Sequence, residues 1–202
     1  MMGQIKLKID GKDVRAEAGA TILEVVRHVG IRIPHLCYQE DLLPHGGCRL
    51  CLVEVKRGGR SRLVAACAYA VEEGLEVDTH TERVVRVRKQ LIELLLSVAS
   101  DVKEVHELAA EYGVRSSRYT AAASYCILCG LCVRHCDEIK CDHAVGFVGR
   151  GTERQVVWVP DSAFDKHCEN CMECMDLCPT GVFPSNVGLS TLRQLQDTMW
   201  QS

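Results

Sequence analysis

Two stretches of this 202-residue chain repeat one spacing of four cysteines, and no other feature restricts its fold as strongly. Residues 126–136 read CILCGLCVRHC, and residues 168–178 read CENCMECMDLC. In both stretches, two, two and three residues separate successive cysteines. Because a spacing repeated within one chain is hard to produce by chance, we expect the two stretches to share one chemistry, the binding of metal by thiolate sulfur.

The cysteine content and the start of the chain indicate in which cellular compartment the protein lies. The chain carries 13 cysteines, an odd number that fits complete disulfide pairing poorly. Its first residues, MMGQIKLKID, lack the apolar core and cleavage site of a signal peptide, and no run of about 18 apolar residues predicts a transmembrane segment. We therefore expect a cytoplasmic protein, in which clustered cysteines are more often metal ligands than disulfides. A formal net charge of −3 gives no indication of a nucleic-acid-binding surface.

The repeated spacing, with Pro179 directly after the second run, is the pattern of bacterial two-cluster ferredoxins. In that pattern the first three cysteines of a run hold one [4Fe–4S] cluster, and the fourth binds the other cluster. The expected ligand sets are Cys126, Cys129, Cys132 and Cys178 for one cluster, and Cys136, Cys168, Cys171 and Cys174 for the other. The alternative is a pair of structural zinc sites, since zinc also binds four thiolates.

A third set of cysteines lies nearer the start of the chain. Gaps of ten, two and fifteen residues separate its members, which are Cys37, Cys48, Cys51 and Cys67. The C-x2-C core and the distant fourth cysteine are those of plant-type ferredoxins, although the first gap is longer. Two glycines precede Cys48, and glycine lets backbone N–H groups approach cluster sulfur closely. The set predicts a [2Fe–2S] cluster, and a zinc site or four buried thiols are the alternatives.

The residue patterns around these motifs predict an α+β chain. Residues 4–9 alternate as a strand, and Thr21 with Glu24 forms a capping-box pattern that predicts a helix ending at Gly30. We expect four parts, which are a β-grasp [2Fe–2S] ferredoxin-like domain over 1–80, a helical connector over 81–122, a ferredoxin-like domain with two [4Fe–4S] clusters over 123–188, and a helical tail over 189–202.

Several segments together resemble a known family. IPHLCY, GGCRLC, SYCILCGLCVRHCDEI and VGFVGRG are similar to the N-terminal iron–sulfur region of the large electron-transfer subunit of respiratory complex I. They equally resemble the small diaphorase subunit of NAD-linked [NiFe] hydrogenases, and the first part of iron-only hydrogenases and NAD-linked formate dehydrogenases. The resemblance covers about residues 4–185 and implies the cluster types given above.

The chain departs from that family in its connector. The family usually carries a further [4Fe–4S] cluster there, held by one histidine and three cysteines. Here the stretch LLLSVASDVKEVHELAAEYGVRSSRY contains no cysteine and a single histidine, His106. We therefore expect three clusters instead of four, with His106 an ordinary helix residue. The large relatives also continue into a catalytic domain beyond the position of CPTGVFPSN, so we expect any catalytic site on another polypeptide.

The motifs present and absent point to electron transfer. No dinucleotide-binding G-x-G-x-x-G pattern, phosphate-binding P-loop or catalytic triad is recognisable, so we expect no substrate site and no cofactor besides the clusters. The resemblance implies a subunit that carries single electrons between a flavoprotein subunit reacting with NAD(P)H and a separate catalytic subunit. The complex would be a soluble hydrogenase, formate dehydrogenase or other low-potential reductase. The alternatives are a scaffolding subunit, whose clusters serve folding and assembly, and a zinc adaptor.

The remaining candidates lie beside the cysteine motifs or after them. We expect Cys141, outside both repeats, to be a buried small hydrophobic residue. Three histidines lie within two residues of a candidate cluster cysteine, namely His35, His135 and His167. They are either ordinary loop residues or donors of hydrogen bonds to cluster sulfur. The tail carries an apolar stripe that would either dock a partner subunit or cover the chain's own ferredoxin domain, made of Leu189, Leu192, Leu195 and Met199.

Overall fold

A computed structural model describes residues 3–120, 125–158, 171 and 173–181 of the chain. The chain forms two compact units, neither of which is one continuous segment. The first unit consists of Met1–Tyr38 and Pro44–Ile127, and the second of Gln39–Leu43 and Leu128–Ser202. None of the helices within the described ranges is long and apolar enough to cross a membrane.

The first unit contains a five-stranded sheet with the strand order β2-β1-β5-β3-β4. Its strands are β1 (Gln4–Ile9), β2 (Lys12–Glu17), β3 (Leu52–Arg57), β4 (Arg60–Ala65) and β5 (Glu76–Asp78). Strands β1 and β5 are parallel, and the other neighbouring pairs are antiparallel. Alternation along β1 buries Leu7 and Ile9 between exposed lysines, so one face of the sheet forms the core.

Helix α1 (Ile22–His28) packs against this sheet. Thr21 Oγ1 accepts a hydrogen bond from the Glu24 N–H at 3.3 Å, and the Glu24 carboxylate accepts one from the Thr21 N–H at 2.7 Å. This is the capping box predicted from the sequence, and it fixes the start of the helix. The helix shares a core with the sheet through its buried residues, Ile22, Leu23, Val25 and Val26.

Two further helices complete the first unit. Helix α2 (Glu82–Val98) is capped by the Thr81 hydroxyl, and α3 (Lys103–Tyr112) ends at Gly113, which has a left-handed φ of 66°. The two helices pack together, and they contribute to a second apolar core made of Leu36, Leu50, Ile92, Leu108, Ala109 and Tyr112. Two of these residues directly precede Cys37 and Cys51, so this core supports the backbone that carries both cysteines.

The second unit is built around a small core that contains cysteine. Helix α4 (Leu131–Arg134) continues into a π-helical turn (His135–Ile139), followed by the antiparallel hairpin of β6 (Val145–Val148) and β7 (Gln155–Trp158) and by helix α5 (Glu173–Asp176). The buried residues of the core are Cys132, Cys136, Ala144 and Val145, and Val133, Val156 and Cys174 pack against them. Cysteine side chains thus take positions that aliphatic side chains occupy in an ordinary core.

A short strap, residues 39–43, belongs to the second unit although it lies between Cys37 and Cys48 in the sequence. The Leu43 N–H donates to the Glu138 carboxylate at 2.7 Å, and the Leu43 carbonyl accepts from the Arg134 guanidinium at 2.9 Å. The side chain of Leu43 is 71% exposed, so its contacts with Glu138 and Arg134 are made by its backbone, whereas the neighbouring Leu42 is buried.

Candidate metal centres

The first unit brings together the four cysteines of the N-terminal set. Cys48 and Cys51 lie in the loop before β3, Cys37 lies in the preceding loop, and Cys67 lies in the 3₁₀ turn Ala66–Ala68 after β4. The sulfurs of Cys51 and Cys67 are 3.4 Å apart, and the Cys48 thiol is hydrogen-bonded to Cys37. All except the partly buried Cys48 are buried.

The four sulfurs are arranged as two pairs, Cys37 with Cys48 and Cys51 with Cys67. A tetrahedral zinc ion needs four donors around one point, at about 2.3 Å from each sulfur, whereas a two-iron cluster needs two donors at each iron. The donor set and its pairing therefore fit the two-iron cluster.

Backbone N–H groups point at these sulfurs. The Cys48 N–H donates to the Cys37 sulfur, with 3.3 Å between nitrogen and sulfur, and the Gly47 N–H donates to the same sulfur. The Gly46 N–H donates to the sulfur of Cys67. Gly46 has a φ of 67°, a left-handed conformation that glycine adopts without strain. Such donors stabilise negative charge on sulfur, as a thiolate ligand requires.

In each pair, one thiol donates a hydrogen bond to the other. The bond from Cys48 is the main cause that lowers the pKa of Cys37 to about 6, against the opposing effect of burial. The same bond, together with burial, raises the pKa of Cys48. The bond from Cys51 likewise lowers the pKa of Cys67 and raises the pKa of Cys51. Because metals bind the thiolate form, a cluster bound here would displace the protons that the pairs share.

A buried arginine of helix α2 contacts the loop that carries Cys51. Arg88 Nε donates to the Leu50 carbonyl at 3.0 Å, and Nη2 donates to the Leu52 carbonyl at 2.7 Å. The remaining nitrogen, Nη1, donates to the Tyr112 hydroxyl on α3 at 3.0 Å. The two carbonyls flank Cys51 on either side, so the guanidinium holds the backbone around this cysteine.

No cysteine motif includes Arg88, although the sequence contains a signal for it. Arg88 lies four residues from both Val84 and Ile92, and all three are fully buried on one side of α2. A charged residue in the apolar stripe of an amphipathic helix must find hydrogen-bond acceptors inside the protein. That position in the helical pattern, and not any motif, marks the residue.

In the second unit, cysteines from both C-terminal runs meet in the same small core. Cys132 on α4 and Cys136 in the π-helical turn are buried together, and Cys174 on α5 packs against them. The Ala144 N–H donates to the Cys136 sulfur at 3.2 Å. Cys129 is buried as well, and Cys171, Cys174 and Cys178 are partly buried. Cys126 is also partly buried and belongs to the first unit. The cluster that each cysteine serves stays a prediction from spacing.

Two histidines beside the cysteine motifs have other described contacts. His135 Nε2 lies 2.9 Å from the Glu173 carboxylate, which also pairs with Lys140. These contacts join α5 to the π-helical turn, and they lower the pKa of Glu173, with the bond from Lys140 the larger cause. Burial is the main cause that lowers the pKa of His35, whose ring stands edge-on to Tyr38 at 5.5 Å. The third, His167, lies outside the described residues.

Aliphatic side chains form a small buried core where α2 meets α3 in the connector. Ala99 and Val105 are fully buried, Val102 is nearly so, and the residues packed against them are Leu95, Leu96 and Ile127. His106 lies on α3, and its Nε2 is hydrogen-bonded to the Ser100 carbonyl.

The expectation for Cys141 is wrong, because its side chain is exposed. The residue lies in the loop between the π-helical turn and β6, outside the small core, whose members on either side of it are Cys136 and Ala144. Cys168 and the tail, residues 189–202, lie outside the described residues, so the expectations for them stay predictions.

Comparisons with known proteins place these sites in context. Residues 3–82 match the 2Fe-2S iron–sulfur cluster binding domain, and residues 119–184 match the ferredoxin-like domain of NADH-quinone oxidoreductase subunit 3. The 75 kDa subunit of NADH-ubiquinone oxidoreductase from Reclinomonas americana is 30% identical over 221 residues, which cover 96% of this chain and 31% of that protein. NADP-reducing hydrogenase subunit HndD of Solidesulfovibrio fructosivorans is 32% identical, over 89% of this chain and 36% of that protein.

A solved structure shares the architecture. The crystal structure of an NAD⁺-reducing [NiFe]-hydrogenase in the H₂-reduced state contains a chain that matches with a TM-score of 0.67 and 28% identity. The match covers 78% of this chain and 76% of that chain. By contrast, this chain spans only 31% and 36% of the two curated relatives.

These matches confirm the resemblance and the fold class expected from the sequence. The chain is an iron–sulfur protein with an α+β fold, and it contains a 2Fe-2S domain and a ferredoxin-like domain. It is similar to subunits of NAD(P)-linked oxidoreductases that include complex I and hydrogenases.

Proposed function

We propose that this chain carries single electrons between two other subunits of a soluble NAD(P)-linked oxidoreductase. The observation that carries the proposal is the pair-wise arrangement of four cysteines, three of them buried, with backbone N–H groups donating to their sulfurs. An iron–sulfur cluster bound there would supply one-electron redox chemistry. The chain itself contributes the thiolate ligands, the donors that stabilise their charge and the exclusion of water.

The proposed complement is one [2Fe–2S] cluster and two [4Fe–4S] clusters. Cys37, Cys48, Cys51 and Cys67 would hold the first. The spacing of the two C-terminal runs supports the other two sets, which are Cys126, Cys129, Cys132 and Cys178, and Cys136, Cys168, Cys171 and Cys174. The corresponding division of the chain is 1–80, 81–122, 123–188 and 189–202.

The names of the relatives support the proposed partners. An NADP-reducing hydrogenase and an NAD⁺-reducing hydrogenase both join nicotinamide chemistry, which moves two electrons as a hydride, to a separate redox reaction. A flavoprotein subunit can accept that hydride and release its two electrons one at a time, with the protons going to water. This chain would conduct the single electrons to or from a catalytic subunit. A cytoplasmic location fits, since thiols stay reduced there.

Anaerobic purification of the native complex tests the proposal. We expect the chain to co-purify with a flavoprotein and a catalytic subunit. The chain prepared anaerobically by itself should hold about ten iron and ten sulfide atoms. Adding NAD(P)H to the complex should reduce its clusters, with electron paramagnetic resonance as the readout.

Other outcomes point to specific alternatives. Clusters that are never reduced between roughly −700 and +450 mV would favour a scaffolding role. A colourless protein with zinc and no iron would establish a zinc adaptor. A content of about fourteen iron atoms would contradict the three-cluster complement.

A further inference from the structure

We propose that Arg88 is a positioning residue of the two-iron centre, which fixes the backbone around Cys51 and raises the reduction potential of the centre through its buried positive charge. The inference rests on the proposed [2Fe–2S] cluster in the first unit. It concerns a residue that binds neither iron nor sulfide, and that no cysteine motif includes.

The geometry of the guanidinium supports the positioning role. Arg88 Nε and Nη2 donate to the carbonyls of Leu50 and Leu52, at 3.0 and 2.7 Å, and so bracket Cys51 from both sides. Because the guanidinium is planar and rigid, two bonds from it fix the orientation of both peptide groups. The bond from Nη1 to Tyr112 anchors the guanidinium to α3 in turn.

The charge of Arg88 has no neutralising partner within the described parts of the chain. Its side chain is fully buried, and its three acceptors are two carbonyls and a hydroxyl, all neutral. Removing a cation from water without a counter-charge destabilises a protein by several kcal/mol unless other negative charge lies near. A group of thiolate ligands beside Cys51 would provide such charge.

The expected effect on the reduction potential has a definite sign. Four thiolates and two sulfides outweigh the charge of two iron ions, so the cluster is anionic, and reduction makes it more so. A fixed cation therefore stabilises the reduced form more than the oxidised form. The effect is stronger in the protein interior than in water, because the effective dielectric constant is lower. Removing the charge should lower the potential.

Potentiometric titration of the reconstituted full chain, followed by electron paramagnetic resonance of the [2Fe–2S] signal, tests the inference. The neutral variants Arg88→Met and Arg88→Gln should lower the equilibrium constant for reduction at least tenfold, a shift of about 59 mV for one electron. Arg88→Lys keeps the charge and should shift the potential less than either neutral variant, while losing iron faster because it lacks the fork. Arg86→Gln is the matched control, since it removes an exposed charge from the same helix.

Each outcome decides a part of the inference. A neutral variant that holds the cluster at the wild-type potential would overturn the electrostatic role. Variants that lower the potential but lose iron no faster than Arg86→Gln would overturn the positioning role.

If both neutral variants fail to hold the cluster while Arg88→Lys holds it, the requirement for positive charge is supported. If all three lose it while unfolding like the wild-type apoprotein, positive charge alone does not suffice to hold the cluster, and the positioning role is supported. A wild-type chain without a [2Fe–2S] signal would instead contradict the proposed function.

Discussion

Gly46 serves the N-terminal centre through its backbone alone. Its N–H donates to the Cys67 sulfur. The backbone of Gly46 has a φ of 67°, a left-handed conformation that residues with a side chain adopt only with strain. A Cβ at this position would lie 3.4 Å from the Ala65 Cβ, an ordinary contact. The cost of a side chain there is therefore backbone strain, with no overlap of atoms.

We expect Gly46→Ala to destabilise the folded chain by about 1–2 kcal/mol and to lower its cluster retention. The measurements are urea unfolding and visible absorbance of the reconstituted protein over time. Gly59→Ala is the matched control, because Gly59 also has a left-handed φ, of 75°, but lies in the turn between β3 and β4. Equal loss of the cluster from both variants would show that general destabilisation, and not the bond to sulfur, is responsible.

At the level of single residues, spacing in the sequence singles out the candidate cysteines but not their surroundings. A cluster restricts how far apart its ligands can lie along the chain, and the role of each cysteine as a ligand stays a prediction. The pairing of Cys51 with Cys67 depends on how β3 and β4 align, which spacing does not encode. The exposure of Cys141 was missed for a related reason, because a general preference of cysteine for the interior says nothing about one loop.

Helix α2 packs against the residues that precede two cysteines of the N-terminal centre. Ile92 is fully buried in the core that contains Leu36 and Leu50, the residues before Cys37 and Cys51. The same helix carries the exposed Leu94, which is 43% exposed. Substitutions at these two positions therefore distinguish the contribution of packing to stability from that of helix propensity.

Ile92→Ala should destabilise the first unit by about 2–5 kcal/mol, because it removes buried methyl groups and leaves a cavity behind the ligand loop. Leu94→Ala should change the free energy of unfolding by no more than about 0.5 kcal/mol. Chemical denaturation monitored by circular dichroism measures both. A change of similar size in the two variants would contradict the role of α2 as packed support.

Strand β1 and helix α1 of the first unit follow from local signals. The extent of β1 and the capped start of α1 agree with the alternation and capping patterns in the sequence. The order of the five strands does not follow from such signals, since β1 pairs with β5, which lies far along the chain. Local patterns specify where an element begins and ends, whereas its neighbours depend on packing between distant segments.

At the scale of the whole molecule, the two C-terminal cysteine runs should form one interdependent site. We expect Cys178→Ala to remove about four iron atoms and to abolish the same spectroscopic signal as Cys129→Ala. Cys171→Ala should abolish the other signal. The measurement is iron content together with electron paramagnetic resonance of the reduced protein.

Cys141→Ala provides the control for these variants, because Cys141 is exposed and lies outside both runs. We expect it to keep its full iron content. If Cys178→Ala abolished the same signal as Cys171→Ala, each run would hold its own cluster and the exchange of fourth ligands would be wrong.

The strap of residues 39–43 has a consequence for how such a protein can be inherited. Arg134 and Glu138 bind the Leu43 backbone, so a gene segment that begins at Leu128 would encode the second unit without these bonds. Recombination that exchanged either unit alone would separate the strap from its partners. We therefore expect recombination to exchange the coding sequences of the two units together, as one segment.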